Sequence, residues 1–206
     1  SSLDNLKQFG LPDEARVYLH RAEEGLGRLT TIFTRMSEAT RLEQSLASVE
    51  REHFDLAEVV RGCVEGYRLA HRDRNIVFDA EPGPVPVYGA PDLVAQMLDK
   101  LAANAVEFSG SGSTIRFELQ RDGMRARLSV LNAGPLLPAD MQDRLFESMI
   151  SVRNKQTQAE PHLGLGLYIV RLIAGFHGAH ALARNLDDAS GVEMRVEFPL
   201  QENTAS

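Results

Sequence analysis

The chain has no tryptophan, a single cysteine in 206 residues, and no apolar run near the roughly 20 residues that a bilayer-spanning helix needs. Cys63 alone excludes an internal disulfide and fits a reducing compartment, and its apolar helical surroundings favour core filler over nucleophile. Basic residues are too few for a nucleic-acid surface: 22 Lys and Arg against 29 Asp and Glu leave a net charge of −7 and a pI near 5.4. No signal-peptide pattern opens the chain. These absences predict a soluble, intracellular piece with no nucleic-acid partner. Beyond them the composition is that of a globular protein, 43% hydrophobic and 25% charged, and the length suits one full domain plus an appendage, or two small domains.

The chain has two unlike parts. From Pro12 to about Glu50 it reads as one long helix with only Gly25 and Gly27 as weak points. Leu19, Ala22, Leu26, Leu29, Phe33, Met36, Ala39, Leu42 and Leu46 recur at three- and four-residue intervals, an interface stripe that calls for a helical hairpin or dimeric bundle. Ser1–Gln8 reads as the tail of a preceding helix, with Phe9–Pro12 as the turn. From Phe54 helices and strands alternate. Helices are expected at Leu56–Ala70 and Pro91–Phe108, and strands at Asn75–Asp79 and near Val87. A hairpin of Thr114–Arg121 and Met124–Leu131 turns at Asp122-Gly123. A short helix is expected at Ala139–Phe146, then a polar, lid-like stretch from Ser151 to Pro161. Strands near Ala179–Asn185 and Val192–Leu200 complete an α+β domain with an antiparallel sheet.

The segment PHLGLGLYIVRLI, from Pro161, is the most telling. Gly164 and Gly166 let a ligand approach the backbone, and the apolar helix from Leu167 to Ile173 would offer an anion its free N–H groups and positive dipole end. Glycines opening a helix also serve as a tight turn or packing device, so the segment alone decides nothing.

Four segments in order resemble the ATP-binding domain of sensor histidine kinases, within the wider group that includes gyrase, the ninety-kilodalton heat-shock chaperone and mismatch-repair ATPases. They are QMLDKLAANAVEFS from Gln96, VLNAGPLLP from Val130, RLFES from Arg144, and the glycine segment followed by His177-Gly178; SGVEMRVEFPL supplies the last strand. The residues before Phe54 resemble the second helix of the kinases' dimerisation hairpin. PHLGLGLYIVRLI with FESMISVR is similar to kinases associated with sortase systems. The resemblance implies a two-layer sandwich, a mixed and mainly antiparallel sheet under helices. Residues 1–52 would be a partial dimerisation and phosphoacceptor hairpin, and 53–206 the catalytic domain. It further implies transfer of the ATP γ-phosphoryl group to a histidine upstream of this sequence, a homodimer through the long helix, a response regulator as partner, and attachment to an inner membrane only through upstream segments, with this domain in the cytoplasm. His20, followed by Arg-Ala-Glu, does not match the phosphoacceptor motif and reads as a solvated or packing residue.

By the same resemblance Asn104 is the Mg2+ ligand, an oxygen donor suited to a hard cation. Phe108 lies against adenine, as core, or both. Asn132 stands at the adenine-recognising position and Gly134 in the turn after it. His162, Leu163, Gly164, Leu165, Gly166 and Leu167 would enclose the phosphates through backbone N–H groups. No catalytic side chain is assigned. Five positions depart from the pattern: Lys100 replaces Asn, Glu107 a phosphate-facing Lys, Asn132 an Asp, Leu136 a glycine, and His162 a third glycine. Arg153 or Lys155 could restore the missing cation. The departures keep open a pseudokinase scaffold that binds nucleotide weakly or not at all. A serine kinase of the same superfold would explain the domain but not the long striped helix.

Overall fold

The computed structural model describes residues 12–138, 141–142, 144–147 and 165–201. The Ser1–Gln8 tail, the lid-like stretch and residues 162–164 of the glycine segment lie outside them.

The long helix α1 (Asp13–Leu46) starts one residue after Pro12 and is about 51 Å long at 1.5 Å per residue. β1 (Glu52–Asp55) follows, then α2 (Leu56–Ala70), β2 (Asn75–Ala80), β3 (Pro86–Gly89) and α3 (Pro91–Phe108). β4 (Thr114–Asp122) and β5 (Arg125–Ala133) form the expected hairpin, with Gly123 at φ 59° in its turn, a conformation that glycine adopts without strain. α4 (Leu165–Phe176), β6 (His180–Asn185) and β7 (Gly191–Pro199) complete the order.

Five strands make one sheet in the order β2-β4-β5-β7-β6, parallel only between β2 and β4. One face carries Ile115, Phe117 and Leu119 of β4, Leu128 and Val130 of β5, and Val196 and Phe198 of β7, all buried beneath the helices. Removing a ring such as Phe117 would cost about 3–5 kcal/mol, since close-packed surroundings do not refill the space. The other face carries charge ladders: Arg116 lies 3.0 Å from Asp79 and 3.9 Å from Glu118. The expected mixed, mainly antiparallel α+β sandwich is therefore present.

β1 is an element that the sequence reading left out. It pairs antiparallel with β3 as a separate two-stranded sheet, Glu52 opposite Gly89. Asp55 joins the pieces by accepting from Ala57 N–H at 2.9 Å as the cap of α2, and from Val85 N–H at 2.8 Å. The described residues of the expected Ala139–Phe146 helix instead form turns: Met141 N–H donates to Pro138 and Arg144 N–H to Met141, a three-residue spacing that does not continue as an α-helix.

Among the described residues, only the last part of the α1 stripe is covered. Ala39 and Leu42 are buried and Leu46 packs on the core, whereas Leu26, Leu29 and Phe33 are half or more exposed, Phe33 at 73%. His20 is a surface residue, its Nε2 3.3 Å from Glu24.

Candidate functional site

α3 divides its surface into three strips. Val94, Met97, Leu98, Leu101, Ala102 and Ala105 face the core. Asp99 lies on the flank toward α2, where the Tyr67 hydroxyl donates to its carboxylate at 2.7 Å. Burial, then that bond to an acceptor, pushes the Tyr67 hydroxyl far above the ordinary phenol range. Lys100 lies on the opposite flank, its ammonium 3.7 Å from Glu38 of α1. Asn104 follows one turn later on that same flank, half-buried. Phe108 closes the helix, 38% exposed, and so is a rim residue more than a core one.

α4 runs antiparallel to α3. The Ala90 N–H, just before α3, donates to Nε2 of His177, just after α4, at 3.0 Å, and the His177 Nδ1 pairs with the Ile173 carbonyl at 2.8 Å. The 12 residues of α4 span about 18 Å against about 27 Å for the 18 of α3. The first described turn of α4 therefore lies level with Asn104. His177 fixes this alignment. Its ring is buried between Phe176 and Phe198, and Gly89 makes room for it, because a Cβ there would fall within the ring. Burial holds the imidazole pKa below its ordinary value, and the Ala90 bond requires the lone pair that a proton would take.

The β5 end completes the cluster. Asn132 is buried at 6% exposure, and its amide nitrogen donates to the Ala133 carbonyl at 3.1 Å, which leaves the amide oxygen as acceptor. Gly191 permits this placement, since a side chain there would run into the Asn132 and Ala133 backbone. A Cβ on Gly134 would meet the Phe108 carbonyl, so this glycine brings the loop after β5 against the end of α3. Asn185 then clamps that loop, accepting from Leu137 N–H at 2.8 Å and donating to its carbonyl at 2.9 Å. Gly134 thus lies between the Phe108 backbone and the Asn132 amide, with Asn104 one turn from Phe108.

Leu165 and Leu167 bury their side chains, at 4% and 7% exposure, so only their backbones can serve a ligand. A Cβ at Gly166 would meet nothing within 4 Å among the described residues. His162, Leu163 and Gly164 are outside the described residues, as are Arg153 and Lys155.

Two contributors, Asn185 and Tyr168, carry no signal in the sequence, and His177 shows there only as part of a motif, its contact with Ala90 being tertiary. Asn185 likewise acts through contacts distant in sequence. Tyr168, in the first turn of α4, donates to Glu43 of α1, a bond that raises its pKa. Among the described residues no group of three or more His, Cys, Asp or Glu could hold a metal unaided. No described helix is long and apolar enough to cross a membrane.

Residues 89–202 match the family of histidine kinase-, DNA gyrase B- and HSP90-like ATPases. The sensor protein CutS of Streptomyces coelicolor is 30% identical over 153 residues, 74% of this chain and 37% of CutS. The chain thus spans little more than a third of that relative's length. Among solved structures, full-length ShkA in complex with AMPPNP superposes with a TM-score of 0.70 at 22% identity, covering 97% of this chain and 42% of ShkA. Histidine kinase ThkA in complex with response regulator protein TrrA gives 0.67 at 23%, covering 95% and 54%.

Proposed function

The chain belongs to the family of histidine kinase-, DNA gyrase B- and HSP90-like ATPases, and from that premise we propose that it is the ATP-binding catalytic portion of a two-component sensor histidine kinase. The reaction is transfer of the ATP γ-phosphoryl group to a histidine on the helix that precedes α1 in the whole protein. The observation that carries the reading is the convergence at one end of the helical layer. Asn104, the rim aromatic Phe108, the buried acceptor of Asn132 and the N-terminal end of α4 meet there.

These residues fit the group they would hold. Mg2+ commonly takes one or two protein oxygens and leaves its other positions to phosphates and water, so a single half-buried Asn104 suffices. Bound there, Mg2+ would neutralise phosphate charge. The Phe108 face offers a surface for adenine and the Asn132 oxygen an acceptor for its amino group. Backbone N–H groups at Gly166 and Leu167 would donate to phosphate oxygens, joined by those of His162, Leu163, Gly164 and Leu165. The protein's part in such a transfer is position and charge, with little covalent chemistry of its own.

Around this centre, residues 53–206 form the catalytic domain and residues 1–52 the partial hairpin, with β1 starting at the junction. The exposed α1 stripe supports a homodimer. ThkA was solved with its response regulator, and a regulator is proposed here too. Anchoring in a membrane would come from other parts of the whole protein, with this domain on the cytoplasmic side. The sortase-associated likeness rests on FESMISVR and PHLGLGLYIVRLI alone. The pseudokinase reading draws on Glu107, Asn132 and the other departures.

A chain extended to include the upstream helix, incubated with γ-labelled ATP and Mg2+, should acquire acid-labile, base-stable phosphate, and Asn104→Ala should not. Nucleotide binding without any phosphohistidine would favour the scaffold.

A further inference from the structure

We propose that Lys100 is the phosphate-binding cation of this nucleotide site, and that Glu38 of α1 holds the same ammonium when nucleotide is absent. The inference rests on the nucleotide reading of the Asn104 site and concerns the charge at its phosphate end.

Phe108, Asn104 and Lys100 lie successively one turn apart on one edge of α3, so they extend over about 12 Å. The base end is marked by Phe108 with Asn132 behind it, because the aromatic face and the buried acceptor occur there. A nucleotide laid along this flank reaches Asn104 with its first phosphates and Lys100 with its last. Glu107, on the same flank, supplies negative charge where the resemblance leads one to expect a cation. Lys100 provides positive charge on the far side of Asn104. Its compact ammonium on a flexible stem suits a phosphate oxygen that must be gripped and released.

The ion pair with Glu38 is built to exchange. At 3.7 Å it lies beyond hydrogen-bond range, and the two side chains are 32% and 50% exposed, conditions in which such a pair holds weakly. A polyphosphate carries more charge than one carboxylate and takes the lysine from it. Glu38 precedes Ala39 and Leu42, which α1 buries against the catalytic domain, and Glu43 receives the Tyr168 hydroxyl nearby. Withdrawal of Lys100 therefore loosens α1 docking, and by linkage a looser α1 strengthens nucleotide binding by the same factor.

Binding of Mg-ATP and of adenosine to the full 206-residue chain tests this. Lys100→Met should weaken Mg-ATP about tenfold or more, the scale of a lost charge-assisted contact, and leave adenosine unchanged. Lys100→Arg should restore much of the Mg-ATP affinity. Glu38→Gln should tighten Mg-ATP by roughly two- to fivefold, as expected for a weak competing pair. Unchanged Mg-ATP affinity in Lys100→Met, while Asn104→Ala has lost it, would overturn the role of Lys100 and leave the nucleotide site standing. A parallel loss of adenosine binding would make Lys100 merely structural and also overturn it. Unaltered affinity in Glu38→Gln would overturn the exchange. A chain that binds neither ligand would bring down the site reading itself and this inference with it.

Discussion

Asn132 shows how much one atom decides. In the proposed site it would meet adenine with an amide in place of a carboxylate, so that bond to an amino group would lose charge assistance, falling from about 1.5–3 to about 1 kcal/mol. The donation to Ala133 would leave the amide oxygen free to accept from the adenine amino group, more weakly than a carboxylate does. Asn132→Asp should tighten ATP by about tenfold and GTP by less; equal affinities for both nucleotides in the two proteins, read by competition titration, would contradict this. At Gly134 the constraint is steric. A methyl group would meet the Phe108 carbonyl, so Gly134→Ala should cost about 1–3 kcal/mol of unfolding free energy and weaken ATP, since the β5 loop must withdraw from α3. Undiminished stability in denaturant would show that the loop has room. Asn104 was readable from its motif because an amide at mid-helix has no backbone use. Its neighbour Lys100 was readable as a departure, whereas its partner Glu38 was not, because that pair joins elements distant in sequence.

At the scale of elements, His177 and Gly89 lock the start of α3 to the end of α4. The folded pKa of His177 is lowered, so the unfolded chain binds its proton first as pH falls. Its contribution to stability is therefore full above the ordinary value of about 6.5 and is lost below it, by up to about 1.4 kcal/mol per pH unit. Urea unfolding at pH 7.5 and 5.5 should show this loss in the parent chain and a flatter profile in His177→Gln; an unchanged slope would mean that the ring titrates normally. Glu193 behaves oppositely. Burial alone would raise its pKa, but hydrogen bonds from Arg195, Ser129 and Arg184 outweigh it and hold the carboxyl below its ordinary range. That stabilisation persists above about pH 4.5 and fades in acid, so the β5-β7-β6 edge should loosen only well below the His177 window.

The bounds of α2 and α3 followed from amphipathic period, and that of α3 also from the proline at its start. The hairpin turn followed from Asp122-Gly123, whose positive φ glycine accommodates. β1 was not legible, since four residues that pair only with β3 carry too short a pattern. The turns after Pro138 escaped for a related reason: apolar spacing over so few residues fits a turn as well as a helix.

The whole molecule couples a long helix to a nucleotide-binding sandwich. α1 anchors its C-terminal end on α4 and leaves Leu26, Leu29 and Phe33 outside that contact. This distribution is expected to drive pairing of two copies, so Leu29→Asp with Phe33→Asp should move the chain toward monomer in sedimentation equilibrium without loss of ATP binding. A chain already monomeric at high concentration would place the stripe's partner elsewhere. The four motifs were assigned to one site although they are scattered over the sequence, and the fold brings the described parts of three of them together at one end of the helical layer. Calorimetric titration of the chain with a non-hydrolysable ATP analogue and Mg2+ addresses the central claim directly. One saturable site per chain below about 1 mM, abolished by Asn104→Ala and by chelating the metal, is the expected result; no heat of binding at several times that concentration would contradict it.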